Sequence, residues 1–165
     1  GKDFAFPKDR VLAYRNFANK IWNMARFMLL MFEKFESEAG NISHFEDSYL
    51  NNTSVLPQED QTILTRLQEV IANIDSNLEK FRFSDAADAI YQFMWKELAD
   101  VYIESVKNRE DKGVALSVLN YVYKKCLIVL HPFMPFVTEE IWSKLPHHSS
   151  DSKLLGASNW PQNML

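Results

Sequence analysis

The sequence predicts an all-α bundle of about five helices. Three observations carry this. Apolar residues recur at spacings of three and four in long blocks, the signature of amphipathic helices. The chain has only 4 glycines and 6 prolines in 165 residues, and most of the prolines stand where helices begin or stop. Strand-like alternation is absent, save for a short candidate near Leu154.

The elements follow in order. The first helix is predicted from Pro7–Lys8 to Glu38, with Asp9 in its first turn and Gly40 just past its end. A helix of roughly 30 residues is long for a globular protein and suits a bundle. Residues 40–54 mix turn formers with isolated apolar residues and read as a loop. Pro57 opens a second helix, favoured by Glu59 and Asp60 near its positive end, with Ile63, Leu67, Val70, Ile71, Ile74 and Leu78 on one face. Phe81-Arg82-Phe83 is a short connection, solvated at Lys80 and Arg82. Ser84 is the expected N-cap of a third helix running to about Val106. That helix holds Tyr91, Met94, Trp95, Leu98 and Tyr102, read as a core stripe whose tyrosine hydroxyls meet neighbouring carboxylates. A polar turn over 108–113 leads into a fourth helix, from Val114 to about Leu130. It stops before His131-Pro132, where the His131 imidazole can meet the last carbonyls. Pro135 opens a fifth helix ending near Leu145-Pro146. Residues 147–153 read as a mobile loop and 154–165 as a tail. The expected organisation is one domain over 1–165, with its helical core at about 8–146.

Composition narrows the function. A hydrophobic content of 47% with 13% aromatics fits a folded domain. No apolar run approaches the ~20 residues of a bilayer span, and the first residues carry no signal-peptide pattern. The single Cys126 sits among apolar residues and reads as a buried thiol, consistent with a reducing cytoplasm. A net charge of −4 argues against a general nucleic-acid coat, which needs a basic surface. It leaves room for recognition by one basic face.

Helix one has such a face. On a helical projection Val11, Tyr14, Phe17, Ala18, Ile21, Trp22, Met24, Ala25 and Met28 fall on one arc of roughly 160°. Arg15, Asn16, Asn19, Lys20, Asn23, Arg26 and Phe27 fall on another of roughly 140°. Between Arg10 and Phe32 the chain has basic residues and no acidic one. A solvated helix surface ordinarily mixes both signs. Cations, amides and one ring suit a negatively charged partner with hydrogen-bonding edges, such as an RNA loop. The competing reading is that the amides tie helices together and the cations solubilise. Asn23 and Trp22, at the inner edge, equally suit interior ties.

Catalytic constellations are missing. The chain has no glycine-rich phosphate loop, no H-E-x-x-H, and no E-x-x-H of the di-metal bundles. His147-His148 diverge, and Glu139-Glu140 point to different faces, so neither pair makes a metal site or an acid–base pair. The expectation is no catalytic residue, no metal and no cofactor in this chain.

Three stretches carry a resemblance: R-N-F-A-N-K-I-W-N-M-A-R-F from Arg15, F-R-F-S-D-A-A-D-A-I-Y-Q-F-M-W-K-E-L-A-D-V-Y-I-E from Phe81, and H-P-F-M-P-F-V-T-E-E-I-W from His131. In this order they resemble the anticodon-binding helical domain of class I aminoacyl-tRNA synthetases of the valine, isoleucine and leucine group. The form of the first stretch over 16–23 is similar to valyl-tRNA synthetases; isoleucyl and leucyl enzymes usually differ there. The H-I-G-H and K-M-S-K-S signatures of adenylate chemistry are absent, so the fragment alone should be inactive. The resemblance implies a monomeric, non-membrane, cytoplasmic module. Its partners would be the anticodon stem-loop of tRNA(Val) and the catalytic domain of the same parent chain, which joins valine to tRNA with ATP. Arg15, Lys20 and Arg26 would meet phosphates or stack. Asn16, Asn19 and Asn23 would bond base edges, and Phe27 would stack on a splayed base. The alternatives are the same domain of an isoleucyl or leucyl enzyme, and a protein-interaction bundle that binds no RNA.

Overall fold

The computed structural model describes residues 8–39, 47–147 and 150–161. Helix α1 spans Lys8–Ala39 and α2 spans Gln58–Glu79. Helix α3 is continuous over 83–107: α-helical at Phe83–Gln92, π-helical at Phe93–Ile103, α-helical again at Glu104–Lys107. Helix α4 spans Lys112–Leu130 and α5 spans Pro135–Trp142. Short 3-10 turns occupy Asp47–Val55 and Leu155–Ala157. All regular elements among the described residues are helical.

Helix α4 is the hub. It packs against α1, α2, α3 and α5, which explains why it is apolar nearly all round. By length and composition alone it could cross a membrane, which corrects the expectation that no such run exists; 78% of it is buried inside the bundle. Helix α1 lays Phe17, Ile21, Met24, Ala25 and Met28, all on the apolar arc of the projection, into the core, and Phe32 a turn further on. The Tyr123 hydroxyl donates to the Ile21 carbonyl at 2.7 Å and fastens α4 to α1. The first turns of α1 depart from the projection: Val11 and Tyr14 are more than half exposed.

The π segment answers to its own pattern of burial. Phe93 and Met94, Leu98 and Ala99, then Tyr102 and Ile103 are buried, a repeat of four to five residues. That spacing suits an i→i+5 ladder better than the α-helical 3.6. Helices α1 and α3 run parallel. Phe17 meets Tyr91 with ring centroids 4.5 Å apart, Lys20 lies over Trp95, and Lys107 lies over Phe27.

Several boundaries differ from the sequence reading. Arg82, not Ser84, takes the N-cap position of α3, and no side chain caps it. The reason lies one residue upstream. The Arg82 amide donates to the Asn77 carbonyl at 2.8 Å and the Phe81 amide to the Leu78 carbonyl at 3.0 Å. These close α2 in a Schellman motif, with Phe81 at φ 57° in the place that usually takes glycine. The chain is thereby delivered into α3 two residues early. The fifth helix stops at Trp142, because turn bonds replace the helical ladder over residues 144–145. His131 does not bond the closing carbonyls of α4; its Nδ1 lies 2.9 Å from Thr138 Oγ1.

The tail is packed. Around Leu154 there is no strand, only the turn at Leu155–Ala157. The Glu139 carboxylate accepts the Leu155 and Gly156 amides at 2.8 and 3.2 Å. Trp160 Nε1 donates to Asp75 on α2 at 2.8 Å. The predicted mobile loop is held at both ends. His147 contacts the Trp142 carbonyl, and Asp151 pairs with the buried Lys124 at 2.5 Å. Residues 148–149 and 162–165 lie outside the described residues, as do 40–46 of the predicted loop.

Candidate nucleic-acid interface

Five of the seven residues of the polar face of α1 point to solvent: Arg15, Asn16, Asn19, Asn23 and Arg26 are exposed. They form a ridge of two cations and three amides along three turns, with open donors and acceptors. Asn23 is therefore on the outer side, while Trp22 is half-buried against the core.

Lys20 and Phe27 are placed differently. Lys20 Nζ is 3.0 Å from Asp100 Oδ1 and 4.7 Å from the centre of the Trp95 ring. Phe27 is half-buried against the core with Lys107 Nζ 5.0 Å from its ring centre. Both stand where α1 meets α3 and hold the two helices together. The π segment makes the first contact possible. Trp95 and Asp100 are five residues apart, which in an α-helix separates them by roughly 140°. On an i→i+5 helix five residues return to the same side, so both reach Lys20.

The face free of carboxylates in sequence thus meets two from α3, Asp100 on Lys20 and Glu104, which pairs at 2.5 Å with Lys107, the cation over Phe27. Sequence reading missed Asp100 and Lys107 because each joins the face through tertiary contact. The even spacing of buried pairs over 93–103 was the available signal.

A second cluster lies inside, of which the sequence reading anticipated only that the Tyr102 hydroxyl would meet a carboxylate. Asp60 is fully buried and accepts from the Tyr102 hydroxyl at 2.5 Å. The Arg109 guanidinium grips it bidentately, Nη1 on Oδ1 and Nη2 on Oδ2, the latter at 2.9 Å, and also pairs with Asp111 at 2.5 Å. Burial, then the bond to Asp60, drives the Tyr102 hydroxyl far above its ordinary pKa. A phenol held this firmly protonated donates to Asp60 and does no acid–base work. The hydrogen bond from Arg109 holds the Asp111 carboxyl below its usual range. Lys112 Nζ, lowered by burial, donates to the Val106 and Lys107 carbonyls at 2.6 Å and closes the end of α3. These groups are saturated by one another and serve the fold.

Among the described residues no three His, Cys, Asp or Glu side chains converge as a metal site would require. Burial raises the Cys126 thiol well above its ordinary value, so it is no nucleophile. The chemistry that the surface offers is therefore recognition, by cations, amides and partly open rings.

Residues 60–165 match the family described as the anticodon-binding domain of tRNA ligase. The chain is 42% identical over 167 residues to a valine–tRNA ligase of Petrotoga mobilis, covering 98% of this chain and 18% of that protein. It is 43% identical to the valine–tRNA ligase of Fervidobacterium nodosum over 165 residues, 98% of this chain and 17% of the relative. With that of Staphylococcus epidermidis it shares 42% over 167 residues, again 98% and 18%. The chain spans less than a fifth of the length of these curated relatives. The helical architecture and the match over residues 60–165 agree: the chain belongs to the family of anticodon-binding domains of tRNA ligases.

Proposed function

We propose that this bundle is the tRNA-docking module of a valine–tRNA ligase and recognises the anticodon stem-loop of tRNA(Val). The observation that carries the reading is the ridge of Arg15, Asn16, Asn19, Asn23 and Arg26, exposed on α1 with no carboxylate of its own helix among them. Cations position the phosphate backbone, and amides read the edges of bases that an unpaired loop leaves open. Phe27, half-buried, offers what remains of its ring for stacking at the far end of the ridge. The relatives at about two-fifths identity are valine–tRNA ligases, which favours valine over isoleucine or leucine.

The rest of such a ligase would attach valine with ATP; this segment contributes affinity and specificity and holds no cofactor. It acts as a single copy, in the cytoplasm where tRNA is charged. Titration of the domain with valine and isoleucine anticodon stem-loops at several salt concentrations tests the reading. Binding should favour the valine loop, and log K should fall with log salt by about 0.7–0.9 per phosphate neutralised. Equal binding of both loops removes the valine assignment. A protein partner with no RNA binding replaces it with the interaction-bundle reading.

A further inference from the structure

A groove opens between α2 and α3, and no residue of the α1 ridge lines it. Its volume is about 250 Å³ and its wall is almost wholly apolar. Ile63 and Tyr102, both buried, form the floor, and Val101, 66% exposed, stands at the rim. An apolar group that displaces water from such a wall gains by the hydrophobic effect. Most of the α3 side of the groove belongs to the π segment, a geometry that recurs at functional sites.

The rim is charged, and one sign prevails. Arg66 donates to Glu97 through Nε and Nη2 at 2.8 and 2.9 Å, and to Glu69 through Nη1. Two carboxylates therefore already hold this one guanidinium. Glu59, one turn before Ile63 on the same side of α2, is exposed and meets no cation among the described residues. Its full charge outweighs the partial positive charge of the start of α2, about half a unit. Lys107 and Arg109, further along the chain, are each paired with carboxylates of their own. Around the groove, three carboxylates thus stand against one cation.

Volume and charge together define the occupant. Sites for small-molecule ligands run to about 300–1,000 Å³ and close over most of the ligand. This groove is smaller and open on one side, suited to a single large side chain. Phosphate would meet surplus carboxylate and no unpaired cation, so RNA does not fit. A lysine or arginine beside the inserted side chain would find Glu59 unpaired and Glu69 close by.

We propose that the α2–α3 groove is a docking site for a basic segment of a second protein. That segment inserts one large apolar side chain over Ile63 and sets a lysine or arginine against Glu59. This site goes beyond the tRNA-docking ridge and does not depend on it.

A peptide titration followed on the methyl signals of Ile63 and Val101 tests the proposal. The probe is acetyl-Lys-Phe-Lys-amide, and both signals should move saturably with it. With Ala in place of Phe, affinity should fall roughly tenfold, as for loss of an anchor side chain. With Glu in place of both Lys it should fall further still. Glu59→Lys should weaken the original peptide by about fivefold, the upper range for an exposed ion pair. Thr62→Trp, at an exposed position on the groove wall, should fill the groove and abolish the shifts with the melting temperature nearly unchanged. Equal binding of the three peptides overturns the proposal. Indole that shifts both signals as strongly as the peptide replaces it with a small-molecule site, and shifts caused by the valine anticodon stem-loop replace it with an RNA contact. In the full-length ligase that carries this chain, the same peptide with a benzophenone on its ring should crosslink to α2 or α3. A crosslink to this chain but not to the full-length ligase means that the ligase covers the groove with itself, which overturns the assignment to a second protein. Peptide binding without stem-loop binding refutes the tRNA reading and leaves the groove standing.

Discussion

Two clusters in this bundle are built from the same three parts. Lys20, Trp95 and Asp100 join α1 to α3; Arg109, Tyr102 and Asp60 join the α3–α4 turn to α2. Each has a cation, an aromatic ring and a carboxylate. Burial separates them. Side-chain exposure is 28% and 52% for Lys20 and Asp100, but 10% and 0% for Arg109 and Asp60. In the interior a carboxylate must be fully partnered, and Asp60 has the phenol and a bidentate guanidinium. At the surface water screens the pair, so Lys20 and Asp100 remain able to exchange partners. The inner cluster is committed to the fold, and the outer one is available for function.

The largest effect should come from breaking the inner cluster. Asp60→Ala leaves Arg109 with Asp111 as its one remaining carboxylate and removes the acceptor of a buried phenol. The expected loss is about 3 kcal/mol, the low end for a buried pair that loses one partner, because the guanidinium keeps a counter-charge. Urea unfolding measures it. A loss near that of an ordinary surface pair would show that water reaches Asp60 and that the two clusters do not differ in kind.

Trp95→Ala comes next. Trp95 is half-buried, stacked on Tyr91 at 5.5 Å with Lys20 above it. The loss should be about 2 kcal/mol, below the ~3–5 of a fully buried tryptophan. Thermal melting reads it, and an unchanged midpoint would remove Trp95 from the α1–α3 contact.

Much of this was legible in the sequence, and the exceptions have physical causes. The helices were legible because apolar periodicity and proline placement act locally. The outward ridge of α1 was legible because a single regular helix fixes which residues share a side. Lys20 and Phe27 read as part of that ridge because projection of one helix contains no second helix. Asp100 was hidden behind an assumed α-helical angle that the π segment does not keep. Ser84 looked like an N-cap, but a Schellman turn with Phe81 in the left-handed region started the helix earlier. The inner cluster joins residues from distant parts of the chain, and neither spacing nor composition marks such a meeting.

The smallest effect, and the sharpest on the outer cluster, is the exchange of Lys20 between partners. Arg15 is exposed, and Arg15→Ala should leave the melting temperature unchanged while lowering the salt slope of RNA binding by about 0.7–0.9. Lys20→Ala should do both things weakly. It gives up an ion pair worth about 0.2–1 kcal/mol and a cation that must leave Asp100 before it can meet a phosphate. Asp100→Asn separates the two roles. It frees Lys20 and removes the carboxylate that α3 sets against that cation, while the amide keeps the shape. Affinity for the anticodon stem-loop should therefore rise, by a few-fold at low salt, as expected when about 1 kcal/mol of competing charge is removed. The gain should shrink as salt screens the freed ammonium. The melting temperature should fall slightly, so the two readouts move in opposite directions. If affinity falls instead, Lys20 contributes only by bracing α1 against α3. The outer cluster would then be as structural as the inner one.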